Sequence, residues 1–259
     1  ARIAAAGREV FAKKAGAPVA ALEVKVDSYV LEADVHFPTD LNLLWDAGRK
    51  CVDLIEGYRA AGYALPGWRK AKDWRRQLKN LQRTTSQIVY RGGPNKEARV
   101  KSAVREYLTV GRSLSAKVQA SLIGLCDQPV DLAAWEALEY FQRMLAKHLD
   151  LVARRLLNGE TIPAHEKVFS LFEPHTEWIQ KGKQRPNVEL GHRLLLATDQ
   201  NQLIQDYAVL LKAAEVDQSI AVVDRLLGRH GAECVASVRF AKGFPRAPDR
   251  ELLELYVPV

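Results

Sequence analysis

The spacing of apolar residues changes character twice along the chain. Residues 1–16 are Ala-rich, carry Arg8, Lys13 and Lys14 and stop at Gly16-Ala17-Pro18, which predicts the tail of a helix. From Leu22 to Val35 β-branched and aromatic residues dominate, which predicts a buried strand ending at the turn Pro38-Thr39-Asp40. Helical spacing then takes over with Leu43, Leu44, Ala47, Cys51, Leu54, Ile55 and Tyr58, behind an N-cap at Thr39 or Asp40. A second helix follows Gly62 to Gly67, with Trp74, Leu78, Leu81 and Ile88 on one face and Lys72, Arg75, Arg76, Lys79 and Arg83 on another. Beyond the break at Arg91-Gly92-Gly93-Pro94-Asn95, helices are predicted over about 96–119 and 132–158, the latter with a bundle seam of Leu138, Phe141, Leu145, Leu149, Val152 and Leu156.

After residue 160 the strand pattern returns. Lys167–Glu173, Val188–Ala197 and Leu203–Leu210 are strand candidates, the second and third joined as a hairpin over Asp199-Gln200-Asn201. Asp217 caps a helix that ends at Gly228-Arg229-His230-Gly231, Cys234–Phe240 reads as a buried strand, and a last helix begins near Pro248. The order predicts an α/β fold: a mixed sheet interrupted after its first strand by a large all-helical block. Three parts follow: a helical tail over 1–21, a sheet-bearing core over 22–40 and 160–259, and a basic helical insertion over 41–159. The chain starts at Ala1 and ends after Tyr256-Val257-Pro258-Val259, so both ends read as cut from a longer protein.

Composition alters this picture little. At 259 residues and 47% hydrophobic content the chain suits one large or two modest globular cores. It has no run of about 18 apolar residues and no charged-then-apolar start, so neither a membrane nor export is indicated and a cytoplasmic location is expected. Cys51, Cys126 and Cys234 are odd in number and far apart, which excludes a disulfide framework and a CxxC metal site.

Charge alters it more. The net +7 is concentrated between Gly67 and Arg105, where twelve Lys and Arg stand against Asp73 and Glu97, a local +10 that leaves the other 220 residues at −3. Such a segment is the footprint of a polyanion partner. A merely solvated helix face mixes both signs.

Local catalytic signatures are absent: there is no GxSxG elbow, P-loop, GxGxxG or HExxH, and the six His are scattered. What stands out is Asp27 inside the first strand. An ionised carboxylate in an apolar strand is costly unless a cation, a metal or donors compensate it. A hydrogen-bonded structural Asp and a metal ligand both satisfy that requirement.

Three blocks carry a family resemblance. Val26-Asp27-Ser28-Tyr29-Val30-Leu31-Glu32-Ala33-Asp34-Val35-His36-Phe37-Pro38-Thr39-Asp40, the stretch from Val168 to Lys183 around Glu177-Trp178-Ile179-Gln180-Lys181-Gly182-Lys183, and Val188-Glu189-Leu190-Gly191 resemble the DDE-type transposases of bacterial insertion sequences. The resemblance runs from about Asp27 to the chain end and implies an RNase H-like sheet holding two Mg²⁺ ions through three acids, for phosphodiester hydrolysis and strand transfer. It also implies double-stranded DNA (element ends and target) as partner, possible homodimers and a nucleoid-associated location. Asp27 takes the place of the first acid. The second belongs to a motif like Phe-Asp-Lys-Gly-Phe, matched here by Phe240-Ala241-Lys242-Gly243-Phe244, so Ala241 stands where the Asp is expected, and the third would lie beyond Val259. One carboxylate does not hold two metals, so a chain of this sequence is expected neither to cut nor to join DNA.

Asp34, seven residues from Asp27, falls on the opposite face of an unbroken strand. Asp217 reads as a cap and Asp199 as a turn residue, while Glu32, Glu173 and Glu189 lie in the matching blocks without geometry to unite them with Asp27. For DNA contact the resemblance offers Lys181, Lys183, Arg185 and Lys242 near the sheet, and Arg75, Arg76, Lys79 and Arg83 in the helical insertion, all as phosphate contacts that position rather than specify. Trp68 and Trp74 read as core, with base stacking as the alternative. Two other functions fit the same residues: a DNA-binding protein that has lost the chemistry, and a helical module that meets an acidic protein.

Overall fold

Leu22, Val24 and Val26 are at most 1% exposed, while Glu23 and Lys25 between them face solvent. Strict alternation of this kind makes a strand with one buried face. The structure, a computed structural model, describes residues 2–180, 187–211 and 218–241. In chain order the elements are α1 (Arg2–Ala15), β1 (Leu22–Glu32), α2 (Asp40–Ala60), α3 (Ala71–Tyr90), α4 (Lys96–Cys126), α5 (Leu132–Leu156), β2 (Glu177–Gln180), β3 (Val188–Thr198), β4 (Ile204–Leu210), α6 (Ser219–His230) and β5 (Val235–Phe240), an α/β protein with a mixed sheet. It divides into two compact units, Ala1–Asp34 with His175–Val259, and Val35–Pro174. No helix among the described residues is long and apolar enough to cross a membrane.

In the sheet unit β1 is flanked on both edges. It pairs antiparallel with β3, from Lys25 opposite Thr198 to Glu32 opposite Gly191, and parallel with β5, from Leu22 opposite Val235 to Val26 opposite Phe240. β3 also carries β4 along Arg193–Thr198 and β2 along Val188–Gly191. Leu22, Val24, Val26, Leu195, Ala197, Leu210 and Val238 form a core with Val222, Val223 and Leu226 of α6. The opposite sheet face leaves Tyr29, Leu31, Tyr207 and Val209 half or more exposed. At the β1–β3 crossing Gly191 is required, because a Cβ there would lie 2.0 Å from the Leu31 carbonyl oxygen. The expected hairpin forms: Asp199 accepts at one carboxylate oxygen from the backbone N–H groups of Asn201 and Leu203, at 2.9 Å each, and so fixes the turn.

The helical unit packs α2, α3, α4 and α5 around Leu44, Ile55, Trp68, Leu78, Tyr107, Leu114, Leu138 and Leu145. Thr39 is the N-cap of α2, accepting from the Asn42 N–H at 3.2 Å, and Asp131 caps α5 in the same way from Ala134 at 3.1 Å. Helix α2 lies close to α3 at Gly48, where a Cβ would meet the Leu78 side chain at 2.4 Å.

One expectation is corrected. The strand predicted at Lys167–Glu173 is instead a 3₁₀ turn at Ala164–Glu166 followed by bends, and the strand of this region is β2 at Glu177–Gln180. The apolar run is used for packing: Leu171 joins the helical core, its carbonyl accepts from the Tyr140 hydroxyl at 3.1 Å, and the Ser170 hydroxyl accepts from the N–H groups of Phe172 and Glu173. By their contacts residues 35–40 and 160–174 fall within the helical unit.

Candidate functional site

The alternation that buries Val26 turns Asp27 to the other sheet face, opposite Leu196 of β3. Its carboxylate is 33% exposed, accepts from the Ser28 N–H at 2.8 Å and lies 3.8 Å from the Lys25 ammonium. The expected costly burial is therefore absent: the strand's core is made by its even-numbered residues, and Asp27 keeps contact with water. Beside it, the Ala241 N–H donates to the Val26 carbonyl at 3.0 Å, one residue beyond the Val26–Phe240 pair. Asp27 and Ala241 are thus brought together on neighbouring parallel strands.

The other acids do not join them. Asp34 is exposed and lies past the end of β1, Glu32 ends the strand opposite Gly191, and Asp199 is bound into its turn, where it also accepts from the Gln205 amide at 2.8 Å. Among the described residues no group of three or more His, Cys, Asp or Glu is placed to hold a metal. Asp27 and Ala241 together supply one carboxylate, which is no donor set for a pair of Mg²⁺ ions, so the residues present do not fit that cofactor. Lys181, Lys183, Arg185, Lys242 and Asp217 lie outside the described residues.

The four basic positions in the helical unit separate into different roles. Arg75 is drawn inward: it pairs with Asp53 at 2.7 Å and with Glu56, both on α2. Lys79 lies with its ammonium 5.1 Å from the Trp45 ring centre, a cation–π contact that positions it while leaving it exposed. Arg76 pairs at 2.8 Å with Asp73 one turn away and remains 74% exposed. Arg83 is exposed and has no acidic partner among the described residues. Trp68 is 1% exposed and donates through Nε1 to the Ser121 hydroxyl at 2.8 Å, and Trp74 is half-buried against the same core, so both are packing residues.

Several charged clusters escaped the sequence. Asp206 on β4 is buried between Arg225 at 2.8 Å and Arg229 at 3.1 Å, both on α6. Arg154 gathers Asp150, Glu160 and Glu166, and its hydrogen bonds hold the carboxyls of Glu160 and Glu166 below their usual range. The i, i+4 spacing of Arg225 and Arg229 was a usable signal for the first, but the partner strand could not be assigned without the fold. His148 sits fully buried in the α5 seam with neither ring nitrogen hydrogen-bonded. Burial lowers its pKa to about 4, with Asp40 pulling upward and Lys147 downward. Burial likewise pushes the Cys51 thiol up to about 12, which makes it inert. A groove of about 500 Å³ between α4 and α5, lined by Arg112, Gln119, Gln142 and Asp150 among others, holds none of the residues that the sequence offered for catalysis or DNA contact.

Comparison with protein-family models, with curated proteins and with solved structures gives no match to the chain.

Proposed function

We propose that the chain is a DDE-type transposase with an RNase H-like sheet whose catalytic constellation is interrupted at Ala241, so that in this form it binds double-stranded DNA without cutting it. The observation that carries the reading is the adjacency of Asp27 and Ala241. Two positions more than two hundred residues apart in sequence, matched independently to the first and second acids of one motif, lie side by side on parallel strands. The return of the chain to one sheet after residues 35–174 is a second support. Sites of this kind need carboxylates on neighbouring strands because oxygen ligands suit Mg²⁺. Ala241 supplies none, which favours DNA binding over cleavage as the present activity.

The test is Ala241→Asp. A second carboxylate next to Asp27 should create a binding site for Mn²⁺, used as a spectroscopic stand-in for Mg²⁺, that is missing from the parent chain and lost again in Asp27→Asn/Ala241→Asp. Electron paramagnetic resonance of free against bound Mn²⁺ reads this directly. If Ala241→Asp binds no more Mn²⁺ than the parent, or binds it regardless of Asp27, the two positions do not form the paired site and the transposase reading loses its support.

A further inference from the structure

Lys72, Arg76, Lys79 and Arg83 follow one another on α3 at intervals of four, three and four residues. That spacing keeps them within one sector of a helix surface, and all four are exposed. The stripe spans about 16.5 Å at 1.5 Å per residue, which matches the rise of about five nucleotides in one strand of a duplex. Between Lys72 and Arg83 no large apolar side chain is exposed. Protein interfaces have apolar centres; a row of exposed cations along one helix suits a row of phosphates.

The acids that would cancel the stripe are already engaged. Asp53 and Glu56 project from α2 toward α3, and Arg75 occupies both, with Arg49 at 3.5 Å from Asp53. Lys72 and Arg83 have no acidic partner among the described residues, and Lys79 is steadied by Trp45. Of the stripe only Arg76 shares its charge, with exposed Asp73.

We infer that the Lys72, Arg76, Lys79, Arg83 face of α3 docks the phosphate backbone of duplex DNA. Arg75 is then a positioning residue that neutralises the flanking α2 carboxylates and does not touch DNA. This rests on the DNA-binding reading above and adds where the duplex lies and which of the neighbouring arginines it leaves out.

The experiment is fluorescence anisotropy of a labelled 20-base-pair duplex between 50 and 200 mM salt. Removing the stripe with Lys72→Gln, Arg76→Gln, Lys79→Gln and Arg83→Gln together should lower the slope of log K against log salt by about 0.9 per contact, about 3.6 in all. Arg112→Gln/Arg143→Gln, exposed and outside both this sector and the 67–105 segment, should keep the parent slope. Arg75→Gln should weaken binding, and adding Asp53→Asn and Glu56→Gln should restore it, a rescue that a direct phosphate contact would not show. Thermal melting followed by circular dichroism confirms that each variant is folded. A parent-like slope in the quadruple variant overturns the inference while leaving DNA binding intact. A parent chain that does not bind the duplex at all overturns the DNA-binding reading itself. Displacement of the labelled duplex by polyglutamate as readily as by unlabelled duplex assigns the stripe to an acidic protein and overturns the inference too.

Discussion

Arginine–carboxylate clusters recur in both units, and Asp27 is not part of one. In the helical unit Arg75 holds Asp53 and Glu56, Arg154 holds Asp150, Glu160 and Glu166, and Arg155 holds Asp40 at 2.8 Å. In the sheet unit Asp206 is buried between Arg225 and Arg229 in the same manner. Asp27 differs: among the described residues no arginine claims it, and the cation paired with it is the largely exposed Lys25 at 3.8 Å. An acid bound by guanidinium groups is explained by the fold it stabilises. One left a third exposed, with no arginine partner among the described residues and its strand paired to the one that ends at Ala241, is not explained by such a pairing, which is why Asp27 carries the functional argument and Asp206 does not.

The comparison predicts opposite responses to neutralisation. Asp206→Ala leaves two guanidinium groups facing an emptied, buried position and should cost about 3–5 kcal/mol, toward the lower end because both arginines keep a third of their side chains in water. Urea denaturation measures it, and a loss under about 1 kcal/mol would make Asp206 as dispensable as a surface acid.

The helical unit has its own weak point at His148. Its folded pKa of about 4 lies below the ordinary 6.5, so the neutral ring is the form the core accepts. The stabilisation is complete above pH 6.5 and is lost as pH falls from 6.5 through about 4, by about 3 kcal/mol at 1.36 kcal/mol per pH unit. His148→Leu should flatten the stability of the chain over that interval. An unchanged pH profile in that variant would place the titrating group elsewhere.

The smallest effect is expected at Asp27. Asp27→Asn should change folding stability by no more than about 0.5 kcal/mol, since the carboxylate is neither buried nor arginine-bound. A loss of several kcal/mol in the same urea titration would return Asp27 to the structural acids and erase the contrast.

Much of this arrangement is legible in the sequence, for identifiable reasons. The helix over residues 40–60 carries both its cap, Thr39, and its apolar spacing in local sequence, and the β3–β4 hairpin is specified by Asp199 bonding its own turn. What escapes is whatever depends on a distant neighbour. A short apolar run such as Val168–Phe172 has no period of its own, so only the α5 side chains that receive Leu171 and Phe172 decide its form. Helical spacing separates the basic flank of α3 from its apolar flank, yet it cannot say that Arg75 turns toward Asp53 while Arg76 turns away. The same holds for Asp27: a run rich in β-branched residues announces a strand, but only its neighbours reveal that one face is left open.

The placement of β1 also dictates an order of events in folding. Residues 35–174 are contiguous and complete a core among themselves. β1 precedes all of them in the chain, yet its partners begin at Gly191 and Val235, roughly 160 to 210 residues after the positions they pair with, a span whose closure entropy grows only logarithmically with length but cannot be met until those residues exist. On a ribosome the first strand therefore waits, its apolar edge unpaired, while the helices assemble, and the pairing that brings Asp27 beside Ala241 is among the last contacts the described chain can make.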